Sequence, residues 1–242
     1  KSVQKGIEDA LKPLSIDYGA AAASAASSPN LTTTANFLYS TSYDTTIWDG
    51  NVKAQQIDTS TGEVIPKVIW TAADTLNARV APSSDTRVLY SFSSATATRL
   101  KPFDWASLTS SAVGAIAAER PYFQNKCTSI AQCPALNTTD QNTANDGANL
   151  VGYLRGQKQY EGTLYRQRLN KDGLPTVLGD AVHASPVFVK VPNRNFLDLV
   201  TPSYATFKTD QATRQGALYV ATNDGMLHAF NGDTGEEMWA YL

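Results

Sequence analysis

The sequence contains two cysteines and two histidines, residue types often used for cross-linking, metal binding and acid–base catalysis. Cys127 and Cys133 lie in the polar segment CTSIAQC, and no histidine is near them to complete a metal site. Because free cysteine prefers burial and this segment is polar, a short-loop disulfide is favoured over two free thiols. The disulfide predicts folding in an oxidising compartment.

The histidines and one aspartate are candidates for catalysis or metal binding. His183 and His228 lie in strand-like segments without a third ligand or a paired nucleophile, so packing or hydrogen bonding is the favoured interpretation. Asp180 follows Gly179 just before a strand, where an aspartate more often caps a turn than catalyses. The sequence therefore predicts no catalytic site.

Cofactor binding is also disfavoured. Trp48, Trp70 and Trp239 could stack on a quinone or a sugar, although packing between repeated sheets is the favoured interpretation. The segments NKDGLP, NDGANL and NGDTGEE each lack enough oxygen ligands at regular spacing for a calcium loop. We assign no metal and no cofactor to this segment, and calcium binding elsewhere in a longer protein stays open.

The overall composition narrows the class of partner. The chain has 242 residues, 42% hydrophobic residues and a formal net charge of −2, which suits a folded core. Because acidic and basic residues are interspersed, neither nucleic acid nor anionic lipid is indicated as a partner. No apolar run is long enough for membrane insertion, and the start at Lys1, without methionine or leader, indicates a processed product or a fragment.

The elements that position these residues fall into four segments. Residues 1–26 are predicted to be a short amphipathic helix and a small-residue linker from an upstream domain. Residues 27–99 are rich in β-branched and aromatic residues divided by turn signals, which predicts strands at NFLYSTSYD, GNVKAQQID, PKVIWTAA and RVLYSF. Residues 100–176 have the character of an insertion, and strands resume in 177–242.

Two helices are predicted within the insertion. The segment FDWASLTSSAVGAIAAER places Trp105, Leu108, Ala112 and Ile116 on one helical face behind a cap at Asp104. The segment NDGANLVGYLRG does the same with Leu150, Val151 and Leu154. The cysteine loop lies between them, so the insertion is expected to be α-helical and to carry the disulfide.

An internal repeat predicts the fold. Two segments share a Ser-Pro before a strand (Ser185-Pro186 in the second), an aromatic strand, Asp-Gly, Thr-Gly-Glu at a turn and a final tryptophan. The matched positions are Asp49 with Asp224, Gly50 with Gly225, Ala54 with Ala229, Gly62 with Gly235, and Trp70 with Trp239. Four short strands that repeat are the unit of a β-propeller blade, since one such sheet must stack on its neighbours. Gly225 suits a tight hairpin, and Trp239 is expected to fill the wedge between blades.

Two blades cannot close a ring, so the predicted fold class is mainly β, a β-propeller incomplete in this chain. The segment LYVATNDGMLHAFNGDTGEEMW resembles the repeat of pyrroloquinoline-quinone-type propellers. The ordered set WDGNVKA, YLRGQ, LGDAVHASPVFV and NDGMLHAF resembles, over roughly residues 27–242, the C-terminal propeller of the PilY/PilC family of type IV pilus tip-associated adhesins. Gln157 stands where that family often has Asp after Arg-Gly, which excludes an Arg-Gly-Asp motif here.

The resemblance implies a non-enzymatic module for pilus assembly and for attachment to host cells or surfaces. It implies minor pilins as partners, a host receptor of unknown identity, and export through the periplasm to the pilus tip or outer cell surface. One alternative, a quinoprotein dehydrogenase fragment, is disfavoured because Cys127 and Cys133 are not adjacent. The other, a generic outer-membrane assembly propeller, would lack the helical insertion. We expect partner contacts to lie on that insertion.

Overall fold

The computed structural model describes residues 26–27, 36–44, 46–112, 117–127, 133–182, 184–194, 196–197 and 203–242. Within these ranges the chain is mainly β, with two sheets, a few short helices and one disulfide, which confirms the predicted class at that level. The described strands do not close into a ring, so the propeller itself stays a prediction. The predicted N-terminal helix and His183 lie outside the described residues.

Sheet 1 is an antiparallel meander of four strands in chain order. Its strands are β1 (Ala26–Ser27), β2 (Asn36–Asp44), β3 (Asp49–Ile57) and β4 (Val64–Thr71). Three of them match the predicted segments within a few residues, whereas β1 occupies the end of the predicted linker. Helix α1 (Ala72–Asn77) follows β4 directly, because the Thr71 side chain accepts a hydrogen bond from the Asp74 backbone N–H at 3.2 Å and caps it.

Sheet 2 has six strands in the order β6-β5-β10-β9-β8-β7. They are β5 (Leu89–Phe92), β6 (Leu100–Pro102), β7 (Val187–Val189), β8 (Ala217–Ala221), β9 (Leu227–Asn231) and β10 (Glu237–Tyr241). Strands β7 to β10 form a second antiparallel meander, and β5 joins it by pairing in parallel with β10. Ser185-Pro186 directly precedes β7, as the repeat predicts.

The two meanders carry the same row of side chains across neighbouring strands. In sheet 1 the paired residues are Tyr39, Ala54 and Trp70, and in sheet 2 they are Tyr219, Ala229 and Trp239. Residues paired directly across strands share one face of a sheet. The sequence alignment of Ala54 with Ala229 and of Trp70 with Trp239 therefore reproduces the register of the strands.

The turns that close the two repeats are also alike. Gly62 and Gly235 adopt φ angles of +76° and +71°, where an L side chain is strained. Their N–H groups donate to the carbonyls of Asp58 and Asn231 at 2.7 and 2.8 Å. The side chains of those two residues also accept backbone N–H groups within the turn. The Thr-Gly-Glu signal thus specifies the same turn twice.

The sheets pack face to face through a shared apolar core. Trp70 and Tyr39 of sheet 1 lie against sheet 2, with the Tyr39 ring stacked on Phe188 at 5.2 Å. The Trp70 indole N–H and the Tyr39 hydroxyl donate to the Gly232 carbonyl at 3.0 and 3.2 Å. A Cβ on Gly235 would lie 2.3 Å from the Trp70 ring, so a glycine is needed there for the sheets to meet.

The insertion contains α2 (Thr138–Asn145) and α3 (Gly147–Leu154), and α4 (Tyr204–Asp210) lies between β7 and β8. The predicted helix from Asp104 is wrong for the described residues 103–112, which form turns. Asp104 does accept the Ser107 N–H at 2.7 Å, but Thr109 then donates from its N–H and its hydroxyl to Glu119, both at 2.9 Å. These long-range bonds replace the helical ones, and Ala112 is exposed.

The disulfide between Cys127 and Cys133 forms as predicted. Both residues are buried in a small core with Leu164 and Tyr165, although the segment around them is polar. Leu150 of α3 packs on this core, whereas Val151, on the adjacent face of the helix, packs on sheet 2. Helix α3 therefore joins the disulfide core to the sheet.

Candidate functional site

A cavity of about 180 Å³ lies where both Asp-Gly turns, the segment before β7 and the insertion meet. Its polar and aromatic lining residues are Trp48, Tyr153, Arg166, Arg168, Thr176, Asp180, Asn223 and Asp224. Trp48, Asp180 and Asp224, which the sequence analysis singled out, lie far apart in the sequence and meet here. Mixed aromatic, cationic and acidic side chains at loop ends are typical of protein-binding surfaces.

Hydrogen bonds join the loops around this cavity. The Asn223 N–H donates to the Asp180 carbonyl at 2.9 Å, and the Asn223 side-chain amide donates to the Asp180 carboxylate. The Gly179 N–H donates to Asp224 at 3.2 Å. Asp180 thus links its segment to a turn more than forty residues away, instead of capping its own turn as expected.

The first Asp-Gly turn differs from the second. Gly225 has a φ of +86°, as a tight hairpin needs, whereas in the first turn the positive φ of +53° falls on Trp48. Gly50 is required for another reason, because a Cβ there would lie 2.2 Å from the Gly179 carbonyl. Trp48 is 54% exposed and lines the cavity, so it does not pack between the sheets as Trp70 does.

The cationic side of the cavity comes from the insertion. Arg166 donates to the Ile47 carbonyl at 3.0 Å, beside Trp48. Arg168 pairs with Glu161 and its guanidinium lies 4.1 Å from the centre of the Tyr153 ring. These contacts hold a tryptophan, a tyrosine and two arginines at one surface, and these residue types dominate the energetics of protein–protein binding.

A buried ion network lies behind the second Asp-Gly turn. Both Nε and Nη2 of Arg87 donate to Glu237 at 2.7 Å, and Glu237 lies 2.8 Å from His228 Nδ1. His228 Nε2 lies 3.2 Å from Asp224 and 3.0 Å from Thr222. His228 has no exposed surface, so it holds carboxylates together and is not positioned to meet a substrate. This agrees with the expected hydrogen-bonding role of His228.

The network shifts the pKa values of Asp224, Glu237 and His228. Burial acts to raise the pKa of Asp224 and of Glu237, but hydrogen bonds from His228 to both, and from Arg87 to Glu237, outweigh it and hold each pKa at about 2. Burial acts to lower the pKa of His228, but the hydrogen bonds to Asp224 and Glu237 outweigh it, so the pKa is raised.

These shifts predict a window of greatest stability on the acid side of neutrality. The carboxylates contribute stability above their ordinary pKa values of 3.8 and 4.5, which is lost as pH falls towards 2. The histidine contributes stability below its ordinary pKa of 6.5, which is lost as pH rises through its raised value. Urea unfolding should therefore show maximal stability between about pH 4.5 and 6.5, and His228→Gln should abolish the alkaline decline. An unchanged alkaline decline in the variant would contradict this assignment.

Sequence reasoning missed the arginine contacts. Arg87 is the first residue of the predicted strand RVLYSF and Glu237 is the first residue of β10, so charged residues at strand positions were the available signal. Arg155, from the motif YLRGQ, pairs with buried Asp85, and its Nη1 donates to the Phe103 carbonyl at 2.6 Å. Gln157 of the same motif donates to Asp85 at 2.9 Å. The motif thus fastens the insertion to the sheet.

Within the described part of the chain, no group of three or more His, Cys, Asp or Glu side chains is arranged to hold a metal ion. None of the described helices has the length and apolar character needed to cross a bilayer.

Comparison with known proteins places the chain among pilus proteins. Type IV pilus biogenesis factor PilY1 of Pseudomonas aeruginosa strain UCBPP-PA14 is 33% identical over 201 residues, which are 81% of this chain and 15% of that protein. The protein of the same name from strain PAO1 is 29% identical over 217 residues, 85% of this chain and 16% of that protein. A homologue from Xylella fastidiosa is 35% identical over 103 residues, 41% of this chain and 8% of that protein. No family model and no solved structure matches the chain.

Proposed function

Because the chain belongs to the PilY1 family of type IV pilus biogenesis factors, we propose that it is a β-propeller segment that recognises pilus proteins and catalyses no reaction. The family relation supports a role in pilus biogenesis. The repeated meander with its Tyr-Ala-Trp row supports the propeller. The chain spans about 15% of the length of these relatives, so the activity and partners of the whole protein are proposals here.

We propose minor pilins as assembly partners and host-cell or other surfaces as targets at the pilus tip. The cavity surface is the proposed contact site, because Trp48 is exposed there beside Arg166. A large amphipathic ring and a guanidinium are the side chains most enriched in binding hot spots. The buried disulfide suits the oxidising route of export through the periplasm to the cell surface.

Replacing Trp48 with alanine in the full-length protein should weaken minor-pilin capture and surface piliation by at least about tenfold, a hot-spot effect. The fold should persist, because the side chain is 54% exposed and alanine carries a similar strain at positive φ. Tyr122→Ala is the matched control, since Tyr122 is 64% exposed and lies outside the cavity. Capture and piliation at wild-type level in Trp48→Ala would place the contact surface elsewhere.

Point variants are preferable to deletion of the insertion. Phe103 and Val151 are almost completely buried in a core shared with Leu89 and Ala240 of sheet 2. A deletion of residues 103–155 would open that core. A loss of binding by the deleted protein would then not distinguish a missing contact from a failure to fold.

The absence of a cofactor is proposed as well. A ligand that binds the native state raises the thermal midpoint. Because we propose no quinone site, titration of the chain with pyrroloquinoline quinone plus calcium is expected to leave the midpoint unchanged. A saturable rise in the midpoint would support the dehydrogenase alternative.

A further inference from the structure

The cavity beside Trp48 has polar side chains that are free to bind a ligand. Asp180 is only 6% exposed, and its Oδ2 accepts the Asn223 amide, but its Oδ1 accepts no hydrogen bond within the described chain. The Oδ1 of Asn223 and the Nε and Nη2 of Arg166 likewise have no hydrogen-bond partner among the described residues. Because nearly buried polar groups are normally hydrogen-bonded, the free Asp180 oxygen indicates a ligand that donates to it.

The charges around the cavity favour a ligand without net charge. Two arginines and two aspartates line it, so their formal charges balance. Arg168 and Asp224 are already paired within the protein, which leaves Arg166 and Asp180 to meet a ligand. A ligand carboxylate would be repelled by Asp180, and a ligand ammonium would be repelled by Arg166. A neutral ligand with several donors and acceptors can bind both residues.

The apolar part of the lining suits one face of a sugar ring. Trp48 is 54% exposed, and Leu154, Val177 and Leu178 line the cavity with it. At about 180 Å³ the cavity is smaller than the range of about 300–1,000 Å³ that is usual for drug-sized ligands, so it has room for a single ring. A pyranose presents C–H groups on its faces, which pack on an aromatic ring, and hydroxyls at its edge, which both donate and accept. The cavity therefore matches a monosaccharide in size and in chemistry.

The other two tryptophans that the sequence offered for sugar stacking lack these features. Trp70 is 7% exposed, and its indole N–H donates to the Gly232 carbonyl at 3.0 Å. Trp239 lines a groove of about 350 Å³ on sheet 2, where the described lining contains no charged or amide side chain. A sugar in that groove would lose hydrogen bonds to water without regaining them from such groups, which weakens binding. Of the three, Trp48 alone combines an exposed ring with described polar partners for hydroxyls.

We propose that this cavity binds one neutral pyranose residue of a surface glycan. The ring stacks on Trp48, one hydroxyl donates to Asp180, and neighbouring hydroxyls bind Arg166 and Asn223. The inference rests on the proposed role of the cavity as a contact site, and it names the chemistry of the surface target there. The hydrogen bonds between Asn223 and Asp180 hold two of the binding groups in place before the ligand arrives, which lowers the entropic cost of binding.

Saturation-transfer-difference NMR titrations with the full-length protein test the proposal. The probes are glucose, galactose, mannose and N-acetylglucosamine. At least one of them should bind with a dissociation constant on the order of 1 mM, as expected for so small a ligand. The uronic acid and the amino sugar with the same ring stereochemistry should bind at least about threefold more weakly, because each meets a like charge in the cavity.

Variants of Trp48 separate stacking from folding. Trp48→Ala should weaken sugar binding at least about tenfold, whereas Trp48→Tyr, which keeps an aromatic ring, should retain it. Tyr122→Ala, which changes a side chain outside the cavity, should bind like the wild type. The thermal midpoints of all three variants should stay close to that of the wild type, because both side chains are more than half exposed.

Three results would overturn the inference. They are the absence of saturable binding for all four neutral sugars, binding that persists in Trp48→Ala, and tighter binding of a charged derivative than of its neutral parent. The last would indicate that the cavity selects a charged group, such as a side chain of a protein partner. The NMR experiment requires no pilin, so the two proposals can fail separately. A protein that binds no sugar but loses minor-pilin capture in Trp48→Ala would support the proposed function and refute the glycan site.

Discussion

Replacing Glu237 with glutamine is expected to lower the free energy of unfolding by about 3–5 kcal/mol, the cost of breaking a buried ion pair. The Arg87 and Glu237 side chains are 1% and 0% exposed, and His228 shares the same carboxylate. Glutamine keeps the size of the side chain but removes its charge. The guanidinium then lacks its carboxylate where water does not reach it, and the imidazole retains only Asp224 as a counter-charge among the described residues.

The neighbouring residue provides a matched control for this variant. Glu236 is 66% exposed and lies 3.5 Å from Arg79 at the surface. Glu236→Gln should therefore change the free energy of unfolding by no more than about 0.5 kcal/mol, as is usual for surface substitutions. Urea unfolding followed by tryptophan fluorescence gives both values. Similar small losses for the two variants would show that the buried network contributes little.

Replacing Gly235 with alanine should destabilise the chain by about 2–5 kcal/mol. Of this, about 1–2 kcal/mol reflects the left-handed backbone and about 1–3 kcal/mol reflects overpacking. The added Cβ would lie 2.3 Å from the Trp70 ring, so Trp70 or the turn must move. The damage would fall on the contact between the two sheets.

Gly62 allows the two contributions to be separated. It occupies the same turn of the other repeat with φ +76°, but nothing lies within 4 Å of a Cβ placed there. Gly62→Ala should therefore cost only about 1–2 kcal/mol, from the backbone alone. The difference between the two variants in urea unfolding measures the packing of Trp70. Equal losses would mean that the sheets do not depend on this contact.

Several features could be predicted from the sequence because they depend on neighbouring residues. The strand segments and the two Thr-Gly-Glu turns arise from β-branched residues, from side chains that accept N–H groups within the turn, and from a glycine with positive φ. The alignment of Trp70 with Trp239 matches the strand register, because each repeat forms its meander from its own residues.

The helix predicted from Asp104 shows where such reasoning fails. Trp105 and Leu108 have helical spacing, but Thr109 bonds to Glu119 and the Trp105 ring lies 4.7 Å from the Arg120 guanidinium. These partners lie ten or more positions away in the sequence. A local pattern therefore predicted regular structure where distant contacts were stronger.

The residue types of the site could be read from the sequence, but their arrangement depends on tertiary contacts. The motif around Asp180 and the two Asp-Gly pairs can be recognised in the sequence. Only the folded chain joins Asp180 to Asn223 and exposes Trp48 beside Arg166. Arg87 and Glu237 meet across 150 positions of sequence. Backbone conformation depends largely on neighbouring residues, so it could be predicted from the local sequence. Ion pairs, cavities and buried faces form only when the sheets and the insertion pack together, so they could not.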